Sequence, residues 1–228
     1  MIPVEKQTLS GYTFIDLFAG IGGFRIALES FGSECVFSSE WDKYARNVYK
    51  TNFGNLPAGD ITKIRPSDIP DCDIVCAGFP CQTFSIAGKK EGFNNIRGTL
   101  FFNIAEIVGE KQPKIILLEN VKNLMRHDNG RTFDVIRSKL QALGYSTFYN
   151  VLNSADYGIP QKRERTYIVC FRNDLGICNF RFPKKTVISK CVSDVVLNDR
   201  SLIADLYRDD VCWKQTIQNN AEKKTTRN

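Results

Sequence analysis

The chain of 228 residues contains one histidine, His127, and no two cysteines separated by two residues. Structural zinc needs closely spaced thiol and imidazole ligands, so neither half of such a site is present and no metal is expected. The eight cysteines do not imply disulfides. The opening stretch MIPVEKQTLSG lacks the basic-then-apolar order of a secretory signal, so nothing points to an oxidising compartment. No apolar run approaches the roughly 18 residues of a membrane span. The G-x-G-x-x-G fingerprint of dinucleotide binders is missing, and no internal repeat is visible. These absences leave a reduced, cytoplasmic, soluble protein with no membrane partner.

What is present is ordinary in bulk. Hydrophobic residues make up 43% and charged residues 25%, and the length suits one large domain with a real core. The net charge of +6 is compatible with a polyanionic partner and equally with a solvated surface.

Strand-like and helix-like segments alternate. Residues 12–18 (YTFIDLF) form a short apolar run, and residues 24–32 carry apolar positions at helical spacing before a glycine stop. Residues 35–40 are strand-like, residues 41–54 helical. The pattern repeats as strand 71–79, helix 99–113, strand 114–121, helix 132–144, strand-like 145–158 and strand 165–172. Strands apolar on both faces, separated by helices, predict an α/β doubly wound, mostly parallel sheet covered on both sides. The expected domain is 1–182. Residues 183–228 lose the alternation and read as a truncated linker or tail with a disordered polar end.

In such sheets ligands bind at the carboxyl ends of the strands. The first strand runs into AGIGG, where Gly20, Gly22 and Gly23 allow a tight turn and close backbone approach. Glu40 stands about 20 residues on, where an acid can accept both hydroxyls of a ribose. Asp60 stands where a third strand should end, so Asp16, Glu40 and Asp60 follow one another along the expected edge. Three acids and no G-x-G-x-x-G disfavour a pyrophosphate. They suit a cationic, ribose-bearing cofactor such as S-adenosylmethionine. Phe18 and Trp41 offer aromatic faces to an adenine, or pack in the core.

The same edge carries a thiol. GFPCQTFS places Cys81 behind Pro80, just after a buried strand, either as a nucleophile or as a bland loop cysteine. Cys72 and Cys76 read as packing. Glu119 ends the strand KIILLENV, and QKRERTYIV brings Arg163 and Arg165 to one side of a strand entry. Taken alone, the two arginines are as easily ordinary surface charges.

The stretches DLFAGIGGFRIALE, GFPCQTFS, LLENVKN and YGIPQKRERTYIV, in that order, resemble the C5-cytosine DNA methyltransferases over residues 12–182. The resemblance implies a Rossmann-like fold of the S-adenosylmethionine-dependent type and duplex DNA as partner. It makes Cys81 the nucleophile at C6 of cytosine and Glu119 the group that binds N3 and the exocyclic amine. Arg165 would hold O2, with Arg163 near the thiol. Ile61 and Pro80 join the cofactor side. A flipped-out base is required, since Cys81 cannot reach a stacked one. In residues 82–99 the expected DNA contacts are Gln82, Ser85, Lys89, Lys90 and Arg97. Family members continue with a target-recognition domain and a late asparagine motif that this sequence does not display. The expectation is therefore a catalytic part, with a possible second polypeptide supplying the rest. The rivals are a cytosine-C5 RNA methyltransferase and an inactive fragment that binds cofactor only.

Overall fold

The computed structural model describes residues 8–80, 100–186 and 191–195. Four helices and six strands are described in the body of the chain. Strands β1 (Thr13–Leu17), β2 (Glu34–Ser39), β3 (Ile74–Gly78), β4 (Ile115–Val121), β5 (Tyr145–Asn153) and β6 (Glu164–Arg172) form one sheet in the order β2-β1-β3-β4-β6-β5. Pairs β1–β2, β1–β3 and β3–β4 are parallel, while β6 runs antiparallel to both β4 and β5. The sheet is thus mostly parallel, as the alternation implied. The reversal of one strand was not legible in that alternation. A chain that leaves β5 through a short turn instead of a crossover helix must come back antiparallel.

Helices α1 (Gly23–Glu29), α2 (Lys43–Phe53), α3 (Leu100–Lys111) and α4 (Arg131–Ala142) cover the two faces. The larger core packs Ile15, Leu17 and Val75 of the sheet against Ile104 and Val108 of α3 and Ile136 and Leu140 of α4. On the opposite face, Phe14, Ile74 and Cys76 meet Leu28 and Phe24 of α1. Successive residues of β1 and β3 therefore serve opposite cores, which is why these strands read as continuous apolar runs.

Local signals explain the helix ends. Asp42 caps α2, its carboxylate accepting the N–H groups of Tyr44 and Ala45 at 3.0 and 2.8 Å. Pro113 follows α3 closely and prevents its continuation. The expected third strand survives as a single parallel bridge, Ser39 to Ala58. Asp60 caps the one-turn helix Ile61–Lys63 that comes next, so it ends a vestige of a strand rather than a full one. Beyond β6, the chain to Thr186 stays on the body. Tyr157 Oη donates to Pro183 O at 3.0 Å, and Phe180 stacks against Phe148 and Phe171. Separately, Val192–Asp194 forms one turn in which Asp194 accepts the Cys191 N–H at 2.7 Å.

The turn between β1 and α1 is intolerant of a side chain. Gly22 has φ +98°, and a Cβ there would stand 2.1 Å from Cε2 of Phe53. That ring is pinned by the Arg25 guanidinium 4.5 Å from its centroid. Gly22→Ala should therefore destabilise the fold by clearly more than the roughly 1–3 kcal/mol of backbone strain alone. Gly11 (φ +86°) has open space around it, so Gly11→Ala should cost only the strain. Urea midpoints of the two variants measure the difference.

Candidate active site

The strand order reverses between β1 and β3, and at that switch point a cleft of about 690 Å³ opens along the carboxyl edge of the sheet. Phe18, Glu40, Trp41, Asp60 and Ile61 line one end of it. Pro80, Glu119, Arg163 and Arg165 line the other. Nine of the residues singled out from sequence thus share one cavity.

At the first end, Phe18 leaves β1 with φ +57°, an uncommon conformation for an aromatic residue and one that recurs at functional sites. Glu40 directly follows β2 and does two structural jobs. Its Oε2 accepts the Gly20 N–H at 2.8 Å, and its Oε1 accepts the Asp42 N–H at 2.8 Å. One carboxylate thereby fixes both the glycine turn and the entry to α2, and each oxygen retains a lone pair for a ligand hydroxyl. Asp60 accepts from Thr62 through Oδ1, at 3.0 Å from the amide and 2.8 Å from the hydroxyl. Trp41 is 79% exposed, so its indole is a rim surface and not core.

Gly20, Gly22 and Gly23 do not line the cavity; they form the turn that Glu40 holds through the Gly20 N–H. Asp16 does not reach the cavity either. It lies within β1, paired in register with Ser38 and Cys76, and is fully buried with no hydrogen-bonding partner on either oxygen. Desolvation pushes its carboxyl up to about 7, against the lowering pull of the Arg25 charge and of the Arg25 backbone N–H, which is near but makes no hydrogen bond of good geometry, with a small push from Glu40. The sequence correctly ran Asp16 into the acidic series, but in this fold it is the one acid of the three that points into the α1-side core.

At the second end, the antiparallel pairing makes the geometry. Val121 pairs with Arg165 and Glu119 with Tyr167, so the start of β6 lies beside the end of β4. Glu119 Oε1 is 2.9 Å from Arg165 Nε and 3.6 Å from Arg163 Nη2. The Arg165 Nε–H makes no hydrogen bond of good geometry despite that distance, so this is charge attraction without alignment. Arg163 is half exposed and Arg165 mostly covered, which ranks Arg165 as the better-held of the two. Lys122 is drawn to Glu164 instead, at 2.8 Å.

Cys81 and the expected DNA contacts Gln82, Ser85, Lys89, Lys90 and Arg97 lie outside the described residues. The described chain stops at Pro80, on the cavity wall. Among the described cysteines, burial pushes the thiols of Cys35, Cys72, Cys76 and Cys170 up, Cys72 and Cys170 to about 12, which suits packing and not nucleophilic chemistry.

Two buried polar wall residues escaped the sequence reading. Ser39 is buried, and its hydroxyl has no protein partner although it sits at the cavity. Asn120 is buried next to Glu119. A polar residue at the end of an apolar strand was the available signal in both cases. The donor set fits an adenosine-type ligand at the first end: two carboxylates, an unpartnered buried hydroxyl and aromatic Phe18, with no lysine or arginine among them. A doubly wound sheet with acids at its switch point and a carboxylate–arginine cluster beside them is the plan of a nucleoside-cofactor transferase.

A profile of the C-5 cytosine-specific DNA methylases matches residues 12–228, and the chain belongs to that family. S-adenosylmethionine is the family's methyl donor. The chain is 55% identical over 226 residues to the type II methyltransferase M.HhaI of Haemophilus parahaemolyticus, covering 98% of this chain and 69% of that one. It is likewise 55% identical over 206 residues to M.NgoBI of Neisseria gonorrhoeae, covering 90% and 64%. It thus spans about two thirds of the length of these relatives. In fold it is similar to a Dnmt2 structure from Spodoptera frugiperda, with a TM-score of 0.69, 24% identity, and coverage of 82% of this chain and 60% of that one.

Buried Asp16 and cavity-lining Glu40 each give a measurable outcome. Because the folded protein holds the Asp16 proton more tightly than the unfolded chain does, unfolding releases it. Stability should then fall as pH rises from about 4 to about 7, by up to roughly 4 kcal/mol for a shift of this size, and level off above. Asp16→Asn should flatten that slope in denaturant titrations across the range. Glu40→Ala should weaken S-adenosylmethionine binding and also loosen the glycine turn. Glu40→Gln, which keeps one acceptor oxygen, should retain more affinity by calorimetry.

Proposed function

We propose that this chain is the catalytic part of a DNA (cytosine-5-)-methyltransferase of a restriction–modification system. The observation that carries the reading is one cavity wall shared by acidic Glu40 and Asp60 at one end and by Glu119 with Arg163 and Arg165 at the other, with Cys81 next in sequence after Pro80.

S-adenosylmethionine, when bound, supplies an electrophilic methyl group. Glu40 would take the ribose hydroxyls, Asp60 and Ile61 would line the same end of the cavity, and Phe18 and Trp41 would offer their rings to the adenine. The acids balance the sulfonium charge. At the other end a cytosine flipped from the duplex meets Cys81. The thiolate adds to C6 while Glu119, bound at N3 and the exocyclic amine, gives N3 a proton. Electron density then moves to C5, which becomes the nucleophile for the methyl. Arg165, held against Glu119, grips O2 of the base, and Arg163 favours the thiolate by its charge. Loss of the C5 proton to solvent, return of the N3 proton to Glu119 and departure of the Cys81 thiolate restore the aromatic ring. Gln82, Ser85, Lys89, Lys90 and Arg97 serve the DNA strand and its phosphates.

In this reading a second polypeptide supplies target recognition. A cytoplasmic location goes with it; among the described residues no helix is long and apolar enough to cross a membrane.

The assay is transfer of labelled methyl to mixed-sequence DNA, run with the chain alone and with the product of any adjacent reading frame. Cys81→Ser is expected to abolish transfer while cofactor binding by calorimetry is retained. Undiminished turnover by the variant would overturn the assignment of Cys81.

A further inference from the structure

The chain that leads to Cys81 leaves the sheet abruptly. The β3–β4 register ends with Gly78 opposite Glu119. Two residues on, Pro80 has no N–H with which to extend a ladder. The backbone at Phe79 and Pro80 is nevertheless held, because a side chain continues where the ladder stops. Asn120 Nδ2 donates to the Phe79 carbonyl at 2.8 Å, a buried bond between residues 41 apart in sequence.

The amide is fixed at both ends. Asn120 is 2% exposed, and its Oδ1 accepts the Val121 N–H at 2.8 Å. Turning the amide over would set donor against donor and acceptor against acceptor, so one orientation is stable. The strand behind it is equally constrained. Asn120 pairs in register with the fully buried Thr166, whose hydroxyl donates to Val121 O at 3.3 Å. Asn120 also follows Glu119 directly. One short piece of β4 therefore carries the carboxylate that faces the cavity and the amide that holds the neighbouring strand's exit.

We infer that Asn120 is a positioning residue of the methyl-transfer site: its amide clamps the Phe79 carbonyl, sets the course of the chain through Pro80, and so fixes the approach of Cys81 relative to Glu119. The inference rests on the roles proposed above for Cys81 and Glu119. A buried asparagine that merely satisfies a carbonyl would matter for stability alone. A positioning residue matters more for rate, since a misplacement of about 1 Å at reacting atoms can cost about 100-fold.

The experiment uses the full chain with Asn120→Ala, and with Asn120→Ser should the alanine variant fold poorly. Two readouts are taken. The first is kcat and the KM for S-adenosylmethionine, in whichever assembly of the wild type is active. The second needs no activity: the alkylation rate of each cysteine, resolved by peptide mass spectrometry. Cys76 and Cys170, fully buried on β3 and β6, report any general loosening.

A fall in kcat of about 100-fold, with that KM little changed, is expected. Cys81 alkylation should change several-fold while Cys76 and Cys170 stay protected. Unchanged kcat and unchanged Cys81 reactivity would overturn the inference, as would a rise at all three cysteines together, the mark of a purely structural role. Should the wild type transfer no methyl in any assembly, the proposed function fails. A selective change at Cys81 in the thiol arm would then still support the positional role, and no change would overturn it.

Discussion

A single strand reversal governs the chemistry available at this site. In a wholly parallel sheet the start of β6 would lie at the far edge, about a strand's length from the ligands. Because β6 runs antiparallel to β4, its first residues arrive at the carboxyl edge, and Arg165 comes to lie beside Val121. The result is Glu119 held between two guanidinium groups at 2.9 and 3.6 Å. Removing one partner of such a partly covered cluster leaves charge without compensation, so the three residues behave as a unit.

The cofactor end is organised on a different principle. There the acids carry both structure and recognition. Glu40 binds the backbone of the glycine turn and of the α2 entry with the carboxylate assigned to the ribose. Affinity and local order are thus coupled through one group, and a bound ligand would stiffen the turn that shapes its pocket. Asp16 stands apart: buried beneath α1 with its carboxyl pushed up by desolvation, it is expected to make the fold sensitive to pH, and it leaves the cavity to Glu40 and Asp60. A charge this poorly solvated is tolerated because a proton can be retained near neutral pH.

The alternation of apolar strands and amphipathic helices was enough for the layered fold, because each core strand serves two hydrophobic faces. Glu40, Glu119 and the arginine pair, which do line the cavity, stood out because polar groups at the ends of apolar runs have few structural reasons to be there. Asp16 misled for the same reason: sequence position locates a residue along a strand but not how far from its end the ligand edge begins. The third strand misled as well, since a single bridge at Ala58 has no run of residues to announce it.

By itself the sequence supplied the candidate residues and the order in which they appear, because reactive groups are recognised by type and elements by local periodicity. Which of them meet was decided only by tertiary structure. The direction of β6, the inward turn of Asp16, and the bond from Asn120 to Phe79 across 41 residues depend on how strands pair and pack. Strand order and direction arise from long-range burial and backbone hydrogen bonding, and no local window of residues encodes them.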